Sequence, residues 1–77
     1  MPKAYILFNV DTGCEEQVRT ELMKVKGVQD VYVSYGVYDL LVKIDAATME
    51  QLKELVTYRL RTIKNVRATL TLILTEE

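Results

Sequence analysis

The run from residue 30 to 45, DVYVSYGVYDLLVKID, constrains the fold of this chain more than any other stretch. Apolar and polar residues alternate on both sides of Gly36, which is typical of a β-hairpin. Glycine at the first central position suits a two-residue type II′ turn at Gly36-Val37. The predicted register pairs Tyr35 with Tyr38, Ser34 with Asp39, Val33 with Leu40, Tyr32 with Leu41, Val31 with Val42, and Asp30 with Lys43. Because paired residues share a face, one face of the predicted hairpin is apolar and the other is mixed.

The segments that flank the hairpin predict one helix and one strand on each side. Thr12 with Glu15, and Thr48 with Gln51, have the spacing of capping boxes at helix starts, and Gly27 is suited to end the first helix. The predicted elements are a strand over 3–10, a helix to about 26, hairpin strands from about 28 to 45, a helix from about 49 to 64 and a strand over 66–75. This order predicts an α+β, ferredoxin-like βαββαβ sandwich, in which two helices cover one face of a four-stranded antiparallel sheet. We expect residues 1–77 to form a single domain.

The composition excludes several function classes. Ten Lys and Arg residues balance 11 Asp and Glu residues, which argues against direct nucleic-acid binding. The chain has no His and one Cys, and it has no glycine-rich phosphate loop or metal-ligand spacing, so we expect no enzyme, no metal and no cofactor. Residues 1–4 lead directly into the first strand, without a signal peptide, and no apolar run approaches a membrane span. A cytoplasmic protein without membrane contact is therefore expected.

Two helices leave the second face of the sheet uncovered. The alternation of the last strand predicts that Leu70, Leu72 and Leu74 face the helices and that Thr69, Thr71 and Ile73 lie on the uncovered face. The apolar residues expected on that face form a predicted dimer interface: Tyr5, Leu7, Tyr32, Leu41 and Ile73. Such a patch favours a symmetric dimer with two sheets face to face, the alternative being a monomer with a tyrosine-rich surface.

Four segments carry a resemblance to a known family: the strand over 4–10, the helix exit VKGV at 25–28, the motif GVYDLL at 36–41, and the strand VRATLT at 66–71. Over essentially its whole length the chain resembles the ligand-binding (RAM) domain of the leucine-responsive/asparagine-responsive regulators. The resemblance implies amino-acid binding, dimers and rings of dimers, with the effector near the hairpin between two dimers. Family members also carry an N-terminal helix-turn-helix; the first strand here begins near residue 4, so we expect a stand-alone domain. A full-length regulator of the same family is a possible partner.

The hairpin tip is the candidate ligand site. An amino acid is a zwitterion, so its ammonium needs an anionic acceptor, for which Asp39 is suited, and its carboxylate needs donors such as the Gly36 N–H. Tyrosine rings supply rigid walls with a polar tip. The candidate ligand-binding residues are Ser34, Tyr35, Gly36, Tyr38, Asp39, Thr69 and Thr71. The structural alternatives are that Gly36 serves the turn alone and that Asp39 only pairs with Ser34.

Three functions follow from this reading. The first is an amino-acid-binding, oligomerising regulatory domain that modulates transcription regulators or amino-acid metabolism. The second is a purely structural oligomerisation module, in which the hairpin tip contacts a second dimer without a ligand. The third is an enzyme on the same fold, such as a dimeric α+β-barrel oxygenase or an acylphosphatase-like hydrolase, which the absence of histidine disfavours.

Overall fold

The computed structural model describes residues 2–74 and contains one four-stranded antiparallel sheet in the order β2-β3-β1-β4. Two helical segments connect the strands, and the second changes from an α-helix to a π-helix part of the way along. The elements are β1 (Lys3–Val10), α1 (Glu15–Met23), β2 (Val28–Val33), β3 (Leu40–Asp45), α2 (Met49–Glu54), the π segment (Leu55–Leu60) and β4 (Val66–Leu74). The predicted βαββαβ order and ferredoxin-like arrangement are confirmed.

The starts of the two helices differ in how they are capped. The Thr48 hydroxyl accepts a hydrogen bond from the Gln51 N–H at 3.2 Å, as the second capping box predicts. The first predicted box was wrong: α1 begins after Cys14, whose side chain makes no capping bond. The reason is a turn in which Gly13 has a φ of 83° and the Cys14 N–H donates to the Asp11 carbonyl.

The hydrophobic core lies between the two helices and one face of the sheet. Its strand residues come mainly from the inner strands, because both neighbours and the helices cover them. The buried core residues are Ala4, Ile6, Phe8, Val10, Val18, Leu22, Val25, Val31, Leu40, Val42, Ile44, Leu52 and Leu60. The predicted core faces of β1 and of the hairpin are therefore correct, except that Val33 is partly exposed.

The hairpin has the predicted register in its strands and a different loop. The pairs from Asp30–Lys43 to Val33–Leu40 are as expected. Beyond Val33 the ladder ends, and residues 34–39 form a loop joined by one backbone bond from the Ser34 N–H to the Asp39 carbonyl at 2.7 Å. The predicted two-residue turn, with Tyr35 paired with Tyr38, was wrong. The ladder ends there because the Asp39 N–H donates to the Phe8 carbonyl of β1 and so cannot complete the pair with Ser34.

The largest correction concerns the two faces of β4. Val66 pairs with Val10, and continuing that register would put Leu70 opposite Ile6, on the helix side where the sequence analysis placed it. A β-bulge shifts the register by one, so Thr71 pairs with Ile6 instead. A shift of one residue moves every side chain to the other face. Thr69, Thr71 and Ile73 therefore lie on the helix side of β4, and Leu70, Leu72 and Leu74 lie on the uncovered face.

The uncovered face is consequently more apolar than predicted. Tyr5 pairs with Leu72, and Leu7 lies between Leu41 and Leu70. Leu70 is 44% exposed and Leu72 is 47% exposed. The apolar residues of this face, referred to below as the open face, are Tyr5, Leu7, Tyr32, Leu41, Leu70, Leu72 and Leu74. Of the five residues predicted for this face, only Ile73 lies on the other side.

Candidate functional site

Asp39 connects the hairpin to the end of β1. One carboxylate oxygen, Oδ2, accepts a hydrogen bond from the Val10 N–H at 2.9 Å, and the Asp39 N–H donates to the Phe8 carbonyl at 2.9 Å. Asp39 therefore has a structural role that sequence analysis did not assign. It provides hydrogen-bond partners for two backbone groups at the end of β1, the Val10 N–H and the Phe8 carbonyl. A carboxylate has room for several donors, so this bond leaves acceptor capacity for a ligand.

A small cavity of about 400 Å³ adjoins this carboxylate. It lies where β1 ends and β4 begins, beside the β-bulge. Its lining residues are Asn9, Val10, Asp39, Arg67 and Ala68. Bulges often lie next to functional sites, because the extra residue re-aims a side chain. Arg67 is the residue that the register skips, since Val10 pairs with Val66 and Asn9 pairs with Ala68.

The cavity has opposite charges on its wall. Asp39 is anionic and Arg67 is cationic, and among the ion pairs within residues 2–74 none joins them. A guanidinium binds a carboxylate in a planar, two-bond geometry, and a carboxylate binds an ammonium group through charge-assisted hydrogen bonds. The Asn9 amide adds a donor and an acceptor. This arrangement has the chemistry to bind a small molecule that carries an ammonium group and a carboxylate.

The other predicted site residues lie apart from the cavity. Tyr35 is 96% exposed in the hairpin loop, and Ser34 and Gly36 are exposed beside it. Gly36 has a φ of 150° and an added Cβ would meet nothing within 4 Å, so the backbone conformation, and not space, is the constraint there. Tyr38 is half-buried next to Asp39. None of these loop residues other than Asp39 lines the cavity.

The threonines of β4 are also separate from the cavity. Thr69 pairs with Phe8 and Thr71 pairs with Ile6, so both lie on the helix side, whereas Asn9 and Ala68 continue the open face. The structure thus brings Asp39 together with Asn9 and Arg67, two residues that sequence analysis missed as site residues. A signal existed, because the ferredoxin-like order places the start of β4 beside the end of β1.

No group of three or more His, Cys, Asp or Glu side chains within residues 2–74 is arranged to hold a metal ion. No helix in that range is long and apolar enough to cross a membrane.

Comparison with known proteins identifies similar sequences and structures. The family model described as the Lrp/AsnC ligand binding domain matches residues 3–77. An uncharacterised HTH-type transcriptional regulator of Pyrococcus furiosus is 33% identical over 69 residues, which cover 88% of this chain and 46% of the regulator. The chain thus spans about half the length of the curated relatives it matches.

Solved structures agree with the sequence matches. A hypothetical protein from Pyrococcus horikoshii has a TM-score of 0.93 at 34% identity, and the match covers 100% of this chain and 93% of that protein. A transcriptional regulator from Neisseria meningitidis, solved as a complex with L-Met, has a TM-score of 0.85 at 17% identity, over 99% of this chain and 51% of the regulator. The second likeness shows a shared fold.

Proposed function

This chain belongs to the family of Lrp/AsnC ligand-binding domains, and from that premise we propose that it is an amino-acid-binding regulatory domain. Its effector occupies the cavity lined by Asp39 and Arg67. The observation that carries the proposal is the presence of these two opposite charges on one cavity of about 400 Å³, without an ion pair between them. The Neisseria meningitidis regulator solved with L-Met supports an amino acid as the ligand class.

The recognition follows from the lining residues. The Arg67 guanidinium binds the α-carboxylate, and Asp39 binds the ammonium group while its Oδ2 keeps the bond from the Val10 N–H. Ala68 has a small side chain, which leaves room for the side chain of the amino acid. The exposed hairpin loop, with Ser34 and Tyr35, flanks the site and is available to a neighbouring subunit.

We propose that the domain assembles through its open face. Seven apolar residues on the surface of one sheet form a patch of the kind that marks interfaces, and a two-fold axis lets the same patch pack against itself. Asn9 and Ala68 continue this face beyond Leu7 and Leu70, so the cavity lies at the margin of the proposed interface. A ligand bound at this margin contacts side chains whose positions change when two domains assemble. Amino-acid binding therefore shifts the equilibrium between monomers and oligomers.

We also propose that the domain has a regulatory role. The family members found by comparison are transcription regulators, and the P. furiosus relative is about twice as long as this chain. An oligomerising domain that responds to an amino acid can modulate such a regulator or an enzyme of amino-acid metabolism, in rings of dimers or by contact with a full-length regulator. One observation favours a second candidate, a structural module without ligand: Tyr35 and Val37 are 96% and 84% exposed at the loop tip, where they can contact a second dimer.

Isothermal titration with the twenty amino acids tests the proposal. We expect at least one to bind the wild-type chain, and Arg67→Gln to weaken that binding by about tenfold or more, since a charge-assisted bond is lost. Arg61→Gln is the matched control, because Arg61 is exposed and does not line the cavity. Binding of none of the twenty, or equal binding by the Arg67 and Arg61 variants, would contradict the site.

Asp39→Asn distinguishes the effect of the negative charge on ligand binding from the effect of the hydrogen bond on folding. The amide oxygen can still accept the Val10 N–H, so the variant should fold, but it lacks the negative charge for the ammonium group. Light scattering with and without the bound amino acid then reports whether the ligand changes the assembly. An unchanged mass at saturating ligand would contradict the link between binding and oligomerisation.

A further inference from the structure

A groove of about 790 Å³ lies at the end of the sheet opposite the hairpin loop. Three segments form it: the turn before β2, the turn after β3, and one side of α2 with the π segment. Its lining includes Lys26, Gly27, Asp45, Glu54, Tyr58 and Arg59. None of them lines the Asp39–Arg67 cavity, so the groove is a separate feature of the fold.

The base of the groove is tightly built. The Asp45 N–H donates to the Gly27 carbonyl at 2.9 Å, which joins the two turns. Gly27 has a φ of 101°, and a Cβ added to it would lie 2.9 Å from Leu55 Cδ2. The helical segment therefore packs directly on the glycine, so that the walls of the groove are held in place without a ligand.

The helical wall has an irregular backbone. After Glu54 the α-helix becomes a π-helix, and at its end the Arg61 N–H donates to the Val56 carbonyl, five residues earlier, at 3.2 Å. The π geometry is rare and occurs frequently at functional sites. Two polar residues of the groove, Tyr58 and Arg59, belong to this segment.

Charges of both signs line the groove without pairing. Lys26 and Arg59 are cations, Asp45 and Glu54 are anions, and the ion pairs recorded within residues 2–74 include none among these four. Asp45 Oδ2 accepts a long bond of 3.3 Å from Gln29 Nε2. Asp45 Oδ1 is buried and has no hydrogen-bond partner in the described chain, and an unmet buried acceptor is costly enough to need an explanation.

We infer that this groove binds a small zwitterion. Its ammonium group pairs with Asp45 and Glu54, its carboxylate pairs with Lys26 and Arg59, and its apolar part lies against the Tyr58 ring, which is 69% exposed. A single anion or cation would leave two like charges of the groove without a partner. The volume is within the range of small-molecule sites, about 300–1,000 Å³.

An NMR titration of the full chain with L-phenylalanine tests the inference, since this probe carries both charges and an apolar ring. We expect saturable shifts of the backbone amides of Gly27, Ala46, Ala47 and Leu55, all of which line the groove. Phenylalanine amide, which lacks the carboxylate, and 3-phenylpropionate, which lacks the ammonium group, should each bind about tenfold or more weakly. Arg59→Gln and Asp45→Asn should weaken L-phenylalanine binding by a similar factor, and Arg61→Gln should leave it within about twofold.

The location of the shifts separates this site from the amino-acid site proposed above. If shifts occur only at Asn9, Val10 and Ala68, the groove is not a binding site, whatever becomes of the proposed function. No saturable shift at the groove amides up to about 10 mM L-phenylalanine, or binding of either singly charged analogue as strong as that of L-phenylalanine, would also overturn the inference. Arg67→Gln should leave the groove shifts unchanged, so the two sites can fail independently.

Discussion

The carboxylate of Asp39 accepts a hydrogen bond from the backbone N–H of Val10 at 2.9 Å, across 29 positions of the chain. This bond ties the end of the hairpin loop to the end of the neighbouring strand β1. It also determines where the negative charge of the proposed ligand site lies. One residue therefore contributes to stability and to the chemistry of the cavity, and the two contributions can be measured separately.

Replacement of Asp39 should destabilise the fold in proportion to the hydrogen bond that is lost. Asp39→Ala leaves the part-buried Val10 N–H without its acceptor, which should lower the free energy of unfolding by about 1–3 kcal/mol. Asp39→Asn retains an acceptor and should cost less than about 1 kcal/mol. Urea denaturation measures both. Equal losses in the two variants would mean that the charge, and not the hydrogen bond to β1, stabilises this end of the sheet.

Leu72 and Ile73 are neighbours of similar exposure on opposite faces of β4, at 47% and 41%. Leu72→Ser removes apolar area from the open face and should weaken the proposed dimer by about tenfold or more, since each dimer loses two leucines. Ile73→Ser should leave the dimer constant within about twofold. Sedimentation equilibrium measures both constants. A stronger effect of the Ile73 change would contradict the register across the bulge.

Arg67 is the extra residue of the β4 bulge, so its deletion should leave the register of the rest of β4 unchanged. Val66 would still pair with Val10 and Ala68 with Asn9. We expect the free energy of unfolding to fall by no more than about 1 kcal/mol, as for other exposed positions, while amino-acid binding in the Asp39–Arg67 cavity is lost.

Deletion of Thr69 is the matched control for the loss of Arg67. It moves every later side chain of β4 to the other face and should cost several times more stability. Chemical denaturation compares the two deletions. If the Arg67 deletion proves as destabilising as the Thr69 deletion, the bulge is required by the fold and not by the site.

Gly27 and Gly13 both have positive φ values, of 101° and 83°, but different surroundings. An alanine at Gly27 would place its Cβ 2.9 Å from Leu55 Cδ2, whereas an alanine at Gly13 would meet nothing within 4 Å. Gly13→Ala should therefore cost only backbone strain, about 1–2 kcal/mol, and Gly27→Ala should cost about 1–3 kcal/mol more. Thermal denaturation tests whether Gly27→Ala is the more destabilising change. Equal losses of stability would show that the Leu55 side chain moves away from the added Cβ at little cost.

Most of the fold was predictable because its signals are local. The alternation of β1 and of the hairpin strands identified the core face, and the pairs from Asp30–Lys43 to Val33–Leu40 have the expected register. Thr48 marked a helix start, because capping depends on a few neighbouring residues. Gly27 did not end the first helix as predicted: α1 ends at Met23 with Lys24 as its C-cap, and Gly27 has its positive φ in the turn that follows. The resemblance to the Lrp/AsnC ligand-binding domain was also carried by short, local motifs.

The site was predicted less completely, because its parts meet through pairing between distant strands. Asp39 was identified, but its bond to Val10 and its place on the same cavity wall as Arg67 depend on how the hairpin and β4 join β1. Thr69 and Thr71 were assigned to the wrong face for the same reason. The alternation of a strand's sequence indicates which residues share a face. It does not indicate which face lies toward the core when the residues of both faces are partly apolar.

By itself, the sequence determined the order of the elements, the core faces of three strands and the presence of an acidic residue after the hairpin loop. Only the tertiary structure decided that a bulge at Arg67 flips β4, adds Leu70 and Leu72 to the open face and places Arg67 and Asp39 on the wall of one cavity. The physical reason is that a strand's period of two is a property of one segment, whereas register and bulges are properties of a pair of segments.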